Sequence, residues 1–254
     1  MSTKTTFLNT LANGLEVLEV LVGRELTLRE LAESVELPRQ TVYRIVYTLM
    51  ETGWVDRDIA TDAYRLSPNL WSLGTRSFGH DELRKAFAPD VRSLSEEWGE
   101  TVHLAVYDRG HVVYIGKEEG THPIRSYTEL GGRSPAYCVA TGKVLLAAQG
   151  VLEWDRVVKS GLEKYTEATI TSRANLISEL EKVRAEGFAV NQGEWREGVG
   201  GIAVPILSPA GETIAGMGFS GPSDRILPRL EELLEGLRKS AQAGMARLGG
   251  KYGA

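Results

Sequence analysis

Apolar positions first recur at Leu8, Leu11, Leu15, Leu18 and Leu21, in steps of three and four, with Glu16 and Glu19 between them. That spacing predicts an amphipathic helix, broken by residues 23–26. Thr27-Leu28-Arg29-Glu30 reads as a capping box, in which the threonine hydroxyl accepts from the Glu30 amide while the glutamate reaches back. Leu28, Leu31, Ala32 and Val35 give the short helix that follows one apolar stripe. Pro38 suits the first turn of a third helix, which runs through Thr41 to Met50 and stops near Gly53. On its wheel Val42, Ile45, Val46 and Leu49 gather on one side, and Arg39, Gln40, Tyr43, Arg44 and Tyr47 on the other. Residues 54–57 and 63–66 then read as two short strands around a polar tip.

Ser67-Pro68 closes that hairpin, residues 69–73 begin a linking helix, and Gly74 and Gly79 mark the boundary. Leu83, Phe87, Val91, Leu94 and Trp98 describe a further helix. The period then changes: Thr101 to Tyr107 and Val112 to Gly116, separated by Asp108-Arg109-Gly110, read as a β-hairpin. Further strands are expected at residues 124–126, 189–191, 201–206 and 213–220, and helices at 141–148, 151–158, 172–186 and 227–248. Hairpin-joined strands with helices grouped around them predict an α+β domain on a largely antiparallel sheet. The expected segmentation is 1–67, a linker at 68–82, and 83–254.

Composition narrows the class. With 254 residues, 42% hydrophobic and 25% charged, the chain suits a soluble globular protein of either one large domain or two ordinary ones. No apolar run is long enough to cross a bilayer, and residues 1–10 lack the pattern of a secretory signal. The lone cysteine, Cys138, fits a reducing compartment, so a cytoplasmic location with no membrane partner is expected.

The net charge of −5 argues mildly against nucleic acid, but local charge outranks the total. The polar face of the third helix has no acid before Glu51. Arginine grips guanine or phosphate, glutamine reads adenine, and tyrosine hydroxyls reach phosphate oxygens. Arg39, Gln40, Thr41, Tyr43, Arg44 and Tyr47 are therefore candidate DNA-contacting residues. Arg57 and Arg65 on the hairpin are candidates for backbone phosphates, although Asp58 and Asp62 at its tip disfavour deep entry into a minor groove. A protein-interaction module would need only a solvated polar face. The full order of helix, capped short helix, turn, polar-faced helix and hairpin favours a winged helix-turn-helix.

Other motifs carry less. Residues 216–221 match the dinucleotide fingerprint by letter, but Pro222 follows and no βαβ unit remains to complete it. Gly142-Lys143 resembles part of a phosphate loop, yet Tyr137 and Val144 stand where a glycine and a hydroxyl residue belong. The four histidines are scattered, so neither a metal nor a cofactor is expected. His103 reads as a hydrogen-bonded structural residue and Cys138 as a small buried one. Ser220, His103 and Glu194 make a Ser-His-acid set only on paper. An enzyme using a pocket in the second domain, with the first serving assembly, is the alternative from another class, and no catalytic residue is assigned.

Together these segments resemble the IclR (isocitrate lyase regulator) family of bacterial transcription factors. In the first domain the resemblance rests on Leu26 to Ala32 and Leu37 to Arg44. In the second it rests on Trp98 to Leu104, Gly132-Arg133-Ser134-Pro135, Ala140 to Ala147, Gly187 to Val190 and Ala203 to Ile206. It implies a GAF-like effector domain, a homodimer or dimer of dimers on a palindromic operator, and a repressor. It also implies an effector pocket at Ala140, Thr141, Asn191, Gly201, Gly218 and Ser220. Here the chain departs from the family pattern: an amide stands for the acid at Asn191, a glycine for the cysteine at Gly201, and no hydroxyl is present at Gly218. Smaller side chains imply more volume, hence an aromatic or carboxylate effector bulkier than a two- or three-carbon acid.

Overall fold

A computed structural model describes residues 8–77, 80–125 and 128–248. The chain divides into two compact units, 1–79 and 80–254. In the first, helix α1 (Asn9–Val20) is followed by strand β1 (Leu26–Thr27) and helices α2 (Leu28–Ser34) and α3 (Arg39–Glu51). Strands β2 (Val55–Arg57) and β3 (Ala63–Leu66) and helix α4 (Pro68–Ser77) complete it. The capping box forms as the sequence requires: Thr27 Oγ1 accepts from the Glu30 amide at 3.4 Å, and Glu30 Oε2 accepts from the Thr27 amide at 2.8 Å. Val42, Ile45 and Val46 of α3 pack with Val17, Leu21, Leu31, Val35, Val55 and Tyr64 in one core. The sheet order is β1-β3-β2, all antiparallel.

Two expectations for this unit change. Residues 26–27 form a strand that pairs with Tyr64 and Ala63, not just a helix break. Helix α4 runs through Gly74, so that glycine is not a boundary. The other expected boundary residue, Gly79, lies outside the described residues.

The second unit opens with α5 (His80–Trp98) and the hairpin β4 (Thr101–Asp108) and β5 (His111–Glu118). It continues through β6 (Arg133–Pro135), α6 (Ala140–Gln149), α7 (Val151–Ser160), α8 (Arg173–Glu186), β7 (Ala189–Gln192), β8 (Val199–Leu207) and β9 (Thr213–Pro222). It ends with α9 (Ser223–Ile226) and α10 (Leu230–Leu248). The strands form a six-stranded sheet in the order β6-β5-β4-β9-β8-β7, antiparallel throughout. Period-two alternation supplies both cores. Val102, Leu104, Met217, Phe219, Ile202 and Val204 pack with Leu83, Phe87, Leu233 and Leu237 of α5 and α10. Ala105, Ala203 and Ala189 pack with α6, α7 and α8.

Small residues on that second face let α6 lie close to the sheet. The predicted strand at residues 124–126 does not form: residues 124–125 are bent or irregular, Ile124 is exposed, and Ser126 lies outside the described residues. Instead β6 occupies the sheet edge, pairing Arg133 to Pro135 with Val113 to His111. Residues 216–221 lie wholly within β9, which removes the helix that a dinucleotide fingerprint must open.

Candidate DNA-binding face and effector cavity

The polar side of α3 follows from its apolar side. Burying Val42, Ile45 and Val46 fixes the rotation of the helix, which leaves Arg39, Gln40, Tyr43, Arg44 and Tyr47 exposed and Thr41 half-buried. Tyr43 and Tyr47 stack one turn apart, ring centroids 6.3 Å from each other. Among the described residues no carboxylate lies within ion-pair distance of Arg39 or Arg44. The hairpin arginines differ. Arg57 Nη2 bonds Asp62 Oδ1 at 2.7 Å, and Arg65 Nη1 meets Glu25 Oε1 at 3.4 Å. The structure thus gathers five candidates on one exposed helix face, leaves Thr41 at its margin, and ties the two hairpin candidates to nearby acids.

In the second unit the antiparallel register aligns one row of side chains across four strands. Thr101 faces Ser220, Ser220 faces Gly201, and Gly201 faces Asn191. Above this row sits the start of α6, whose preceding residue, Val139, offers no side-chain cap to the first-turn amides. A cavity opens there, lined by Ala140, Thr141, Asn191, Gly201 and Ser220 together with His103, Tyr114, Thr128, Trp195 and Arg196.

Five of the six expected pocket residues therefore meet. Gly218 does not line the cavity: a Cβ there would stand 2.5 Å from the Ile202 carbonyl oxygen and 2.7 Å from Ala203 Cβ. Close strand packing, rather than a missing ligand contact, accounts for that glycine. The expected extra volume is also absent. The open volume is about 30 Å³, room for a water molecule or two.

The buried polar side chains His103, Thr128, Tyr114 and Asn191 around the cavity are already engaged. His103 is buried and shares a 2.5 Å hydrogen bond with Thr128 Oγ1. Burial, with the Lys117 ammonium nearby, pushes His103 down to about 3, so its ring is neutral at ordinary pH. Lys117 Nζ in turn donates to the Thr128 carbonyl at 2.5 Å. The Tyr114 ring lies 4.7 Å from the His103 ring, and its hydroxyl donates to Ser134 Oγ at 3.1 Å. Asn191 Oδ1 accepts from the Glu194 amide at 3.0 Å.

Arg196 is exposed at the cavity with its guanidinium over the Trp195 ring, 4.5 Å from the centroid. Period-two alternation from Thr101 would have placed His103 on this face. Trp195 and Arg196 follow a strand in a loop, where no periodicity marks them. Cys138 is fully buried, and burial pushes its thiol up to about 12, which leaves it an unreactive core residue.

The family model described as "Bacterial transcriptional regulator IclR C-terminal" matches residues 75–244, and the IclR helix-turn-helix domain model matches residues 10–58. This chain belongs to the IclR family of transcriptional regulators. The HTH-type transcriptional regulator KdgR of Escherichia coli is 34% identical over 229 residues, spanning 89% of this chain and 87% of that protein. BhcR of Paracoccus denitrificans, also an HTH-type transcriptional regulator, is 31% identical over 92% of this chain and 89% of its own length.

An IclR homolog from Microbacterium hydrocarbonoxydans, solved in complex with 4-hydroxybenzoate, superposes with a TM-score of 0.82. It is 26% identical over 94% of this chain and 98% of its own. The IclR-family chain is accordingly a DNA-binding regulator. The enzyme alternative finds no support among these relatives, which are named as regulators.

Proposed function

We propose that this chain is a cytoplasmic repressor that binds a palindromic operator as a homodimer or dimer of dimers, and that a small organic anion releases or reseats it. In this reading residues 1–67 bind DNA, 68–82 link, and 83–254 bind the effector. The carrying observation is the division of α3 into a buried aliphatic side and an exposed side bearing Arg39, Gln40, Tyr43, Arg44 and Tyr47. A helix of 13 residues so divided offers its donors to base edges while its core contacts hold it rigid. Thr41, Arg57 and Arg65 act as phosphate contacts at the margin.

Leu8, Leu11 and Leu15 of the first helical segment are exposed at 67%, 62% and 55%. An apolar stripe left in water by its own unit supports burial against a second copy, which a two-fold operator also requires.

The effector reading rests on the cavity. Uncapped first-turn amides of α6 and the Arg196 guanidinium both favour an anionic head. The neutral His103–Thr128 pair and the Tyr114 ring suit a flat, hydroxylated remainder. The homolog solved with 4-hydroxybenzoate supports an aromatic carboxylate. The open volume of about 30 Å³ means that such a ligand enters only as the wall yields, and the exposed Arg196 with half-buried Trp195 is the movable part. Effector binding shifts DNA affinity only if it prefers one of two arrangements, and residues 71–82 are the proposed element between them; Phe78 and Gly79 among these lie outside the described residues.

Footprinting over the DNA upstream of the chain's own reading frame, with and without 4-hydroxybenzoate, tests both halves. A protected two-fold site that 4-hydroxybenzoate weakens or shifts is expected. No protection at any salt overturns the regulator reading at that locus, and protection indifferent to 4-hydroxybenzoate overturns the aromatic effector.

A further inference from the structure

Among the described residues Lys143 is the one lysine or arginine in the fully buried set, 1% exposed on α6. Its neighbour Gly142 is where the turn at residues 136–138 meets the helix: a Cβ there would come within 2.3 Å of the Ala136 carbonyl oxygen. The Gly142-Lys143 pair that resembles a phosphate loop thus has other work. Lys143 Nζ donates to Glu179 Oε1 of α8 at 2.7 Å and to Glu194 Oε1 at 2.8 Å.

Glu194 stands between β7 and β8, one residue before Trp195 and two before Arg196 of the cavity wall. Its backbone is held from two sides. Its amide donates to Asn191 Oδ1 at 3.0 Å, and its carbonyl accepts from Thr169 Oγ1 at 2.6 Å. Its carboxylate, by contrast, has Lys143 as its only cation within ion-pair distance among the described residues, while Oε2 is buried without a hydrogen-bond partner. Burial pushes the Glu194 carboxyl up, opposed by that ammonium.

Burying the Glu194 carboxylate and the Lys143 ammonium, with Glu179 half-buried beside them, carries a desolvation penalty that a leucine-sized apolar pair would avoid. What the charged arrangement adds is direction: charge-assisted hydrogen bonds fix where each oxygen stands. The oxygen fixed here belongs to the residue adjoining the cavity wall.

We propose that Lys143 is a positioning residue of the effector cavity, its ammonium braced on Glu179 and holding Glu194 so that Trp195 and Arg196 stand at the cavity mouth. This rests on the reading of that cavity as the effector site. Lys143 does not line the cavity; it sets the wall against which the ligand closes.

Amide hydrogen exchange on the full chain reads the wall without any effector. Lys143→Met and Glu194→Leu should speed exchange across residues 192–199 by about tenfold or more while peptides from β4 and α5 keep their protection. Glu194→Gln, which retains an oxygen for Nζ at the same reach, should stay within about threefold of the parent. Unchanged exchange at 192–199 in both disruptive variants overturns the proposal, as does a uniform rise across the whole second unit. Should Lys143→Met fail to fold, the contrast between Glu194→Leu and Glu194→Gln decides alone. Calorimetry with 4-hydroxybenzoate separates the two claims. A parent chain that does not bind it, with a rise confined to the wall, leaves the positioning role standing and removes the aromatic effector.

Discussion

The polar side chains of α3 and those around the cavity are handled in opposite ways. On α3, Arg39, Gln40, Tyr43, Arg44 and Tyr47 stand in solvent, and their donors are free for an outside partner. Around the cavity His103, Thr128, Tyr114 and Asn191 are buried and already bonded to neighbours. The first arrangement separates function from stability, because outside the Tyr43–Tyr47 stack a substitution removes a contact the folded chain never used. The second entangles them, because each of these four side chains, if it meets the proposed ligand, also satisfies a buried partner. A surface presented to DNA can thus change its sequence preference freely, whereas the cavity proposed for the effector changes only with its supporting bonds.

The largest effect should come where the second unit is most tightly closed. Gly142→Ala places a methyl against Ala136 backbone atoms at 2.3–2.7 Å, and overpacking of this kind costs about 3 kcal/mol when rigid backbone must shift. The denaturation midpoint of the second unit should fall, with DNA affinity retained under conditions where both units stay folded. An unchanged midpoint would mean that residues 136–138 do not sit on α6 as described. Next in size, and opposite in kind, Arg44→Ala should weaken operator binding by about 1–3 kcal/mol if its guanidinium reads a base. Its melting temperature should match the parent. Equal operator affinity in a gel shift would remove Arg44 from the contact set.

How much of this was legible follows the same division. Helix α3 was readable because its face is a matter of period alone: Val42, Ile45 and Val46 repeat at helical spacing, and the polar side follows. The capping box at Thr27 and Glu30 was readable because it is local. Helix α1 was readable as a helix but not in its burial. Val17 and Leu21 enter the core while Leu8, Leu11 and Leu15 stay exposed, since a periodic stripe does not say what covers it. Strands β1 and β6, of two and three residues, are set by their partners and have too little length to alternate.

The cavity was legible only as far as register carries. Asn191, Gly201 and Ser220 align across the sheet, but reading Gly218 as a missing hydroxyl overlooked the Ile202 and Ala203 atoms beside it. Inferring volume from small residues failed for the same reason, because neighbouring elements closed in.

Burial of His103 makes a smaller prediction about pH. The unfolded ring takes up a proton near pH 6.5, whereas the folded ring holds out to about 3. Between those values the unfolded chain binds more protons, so this residue's contribution to stability falls as pH drops, by up to about 1.4 kcal/mol per pH unit. Glu194, raised by burial, acts with the opposite sign. The difference between the parent and His103→Gln isolates the histidine: the parent should lose more stability than the variant from pH 6.5 to 5. Parallel denaturation curves at both pH values would show that His103 is not held neutral.

The hairpin supplies the finest test of the comparison, because Arg57 is exposed like the α3 arginines yet bonded like the cavity residues. Its pair with Asp62 spans 2.7 Å between side chains that are 45% and 69% exposed, and such a surface pair contributes only about 0–1 kcal/mol to folding. To reach a phosphate, Arg57 must leave Asp62 or share its charge with it. Arg57→Ala should therefore cost less than about 0.5 kcal/mol of operator affinity. Asp62→Asn should do the reverse. Asp62 sits at φ 58, a backbone region that asparagine adopts readily, so the substitution removes the charge while keeping the tip's conformation. With Arg57 released, affinity should rise by a few tenths of a kcal/mol, and the salt dependence of binding should steepen by about one phosphate contact. Fluorescence anisotropy at two salt concentrations measures both. If Asp62→Asn changes neither affinity nor slope, the hairpin does not touch the duplex, and the reading surface is α3 alone.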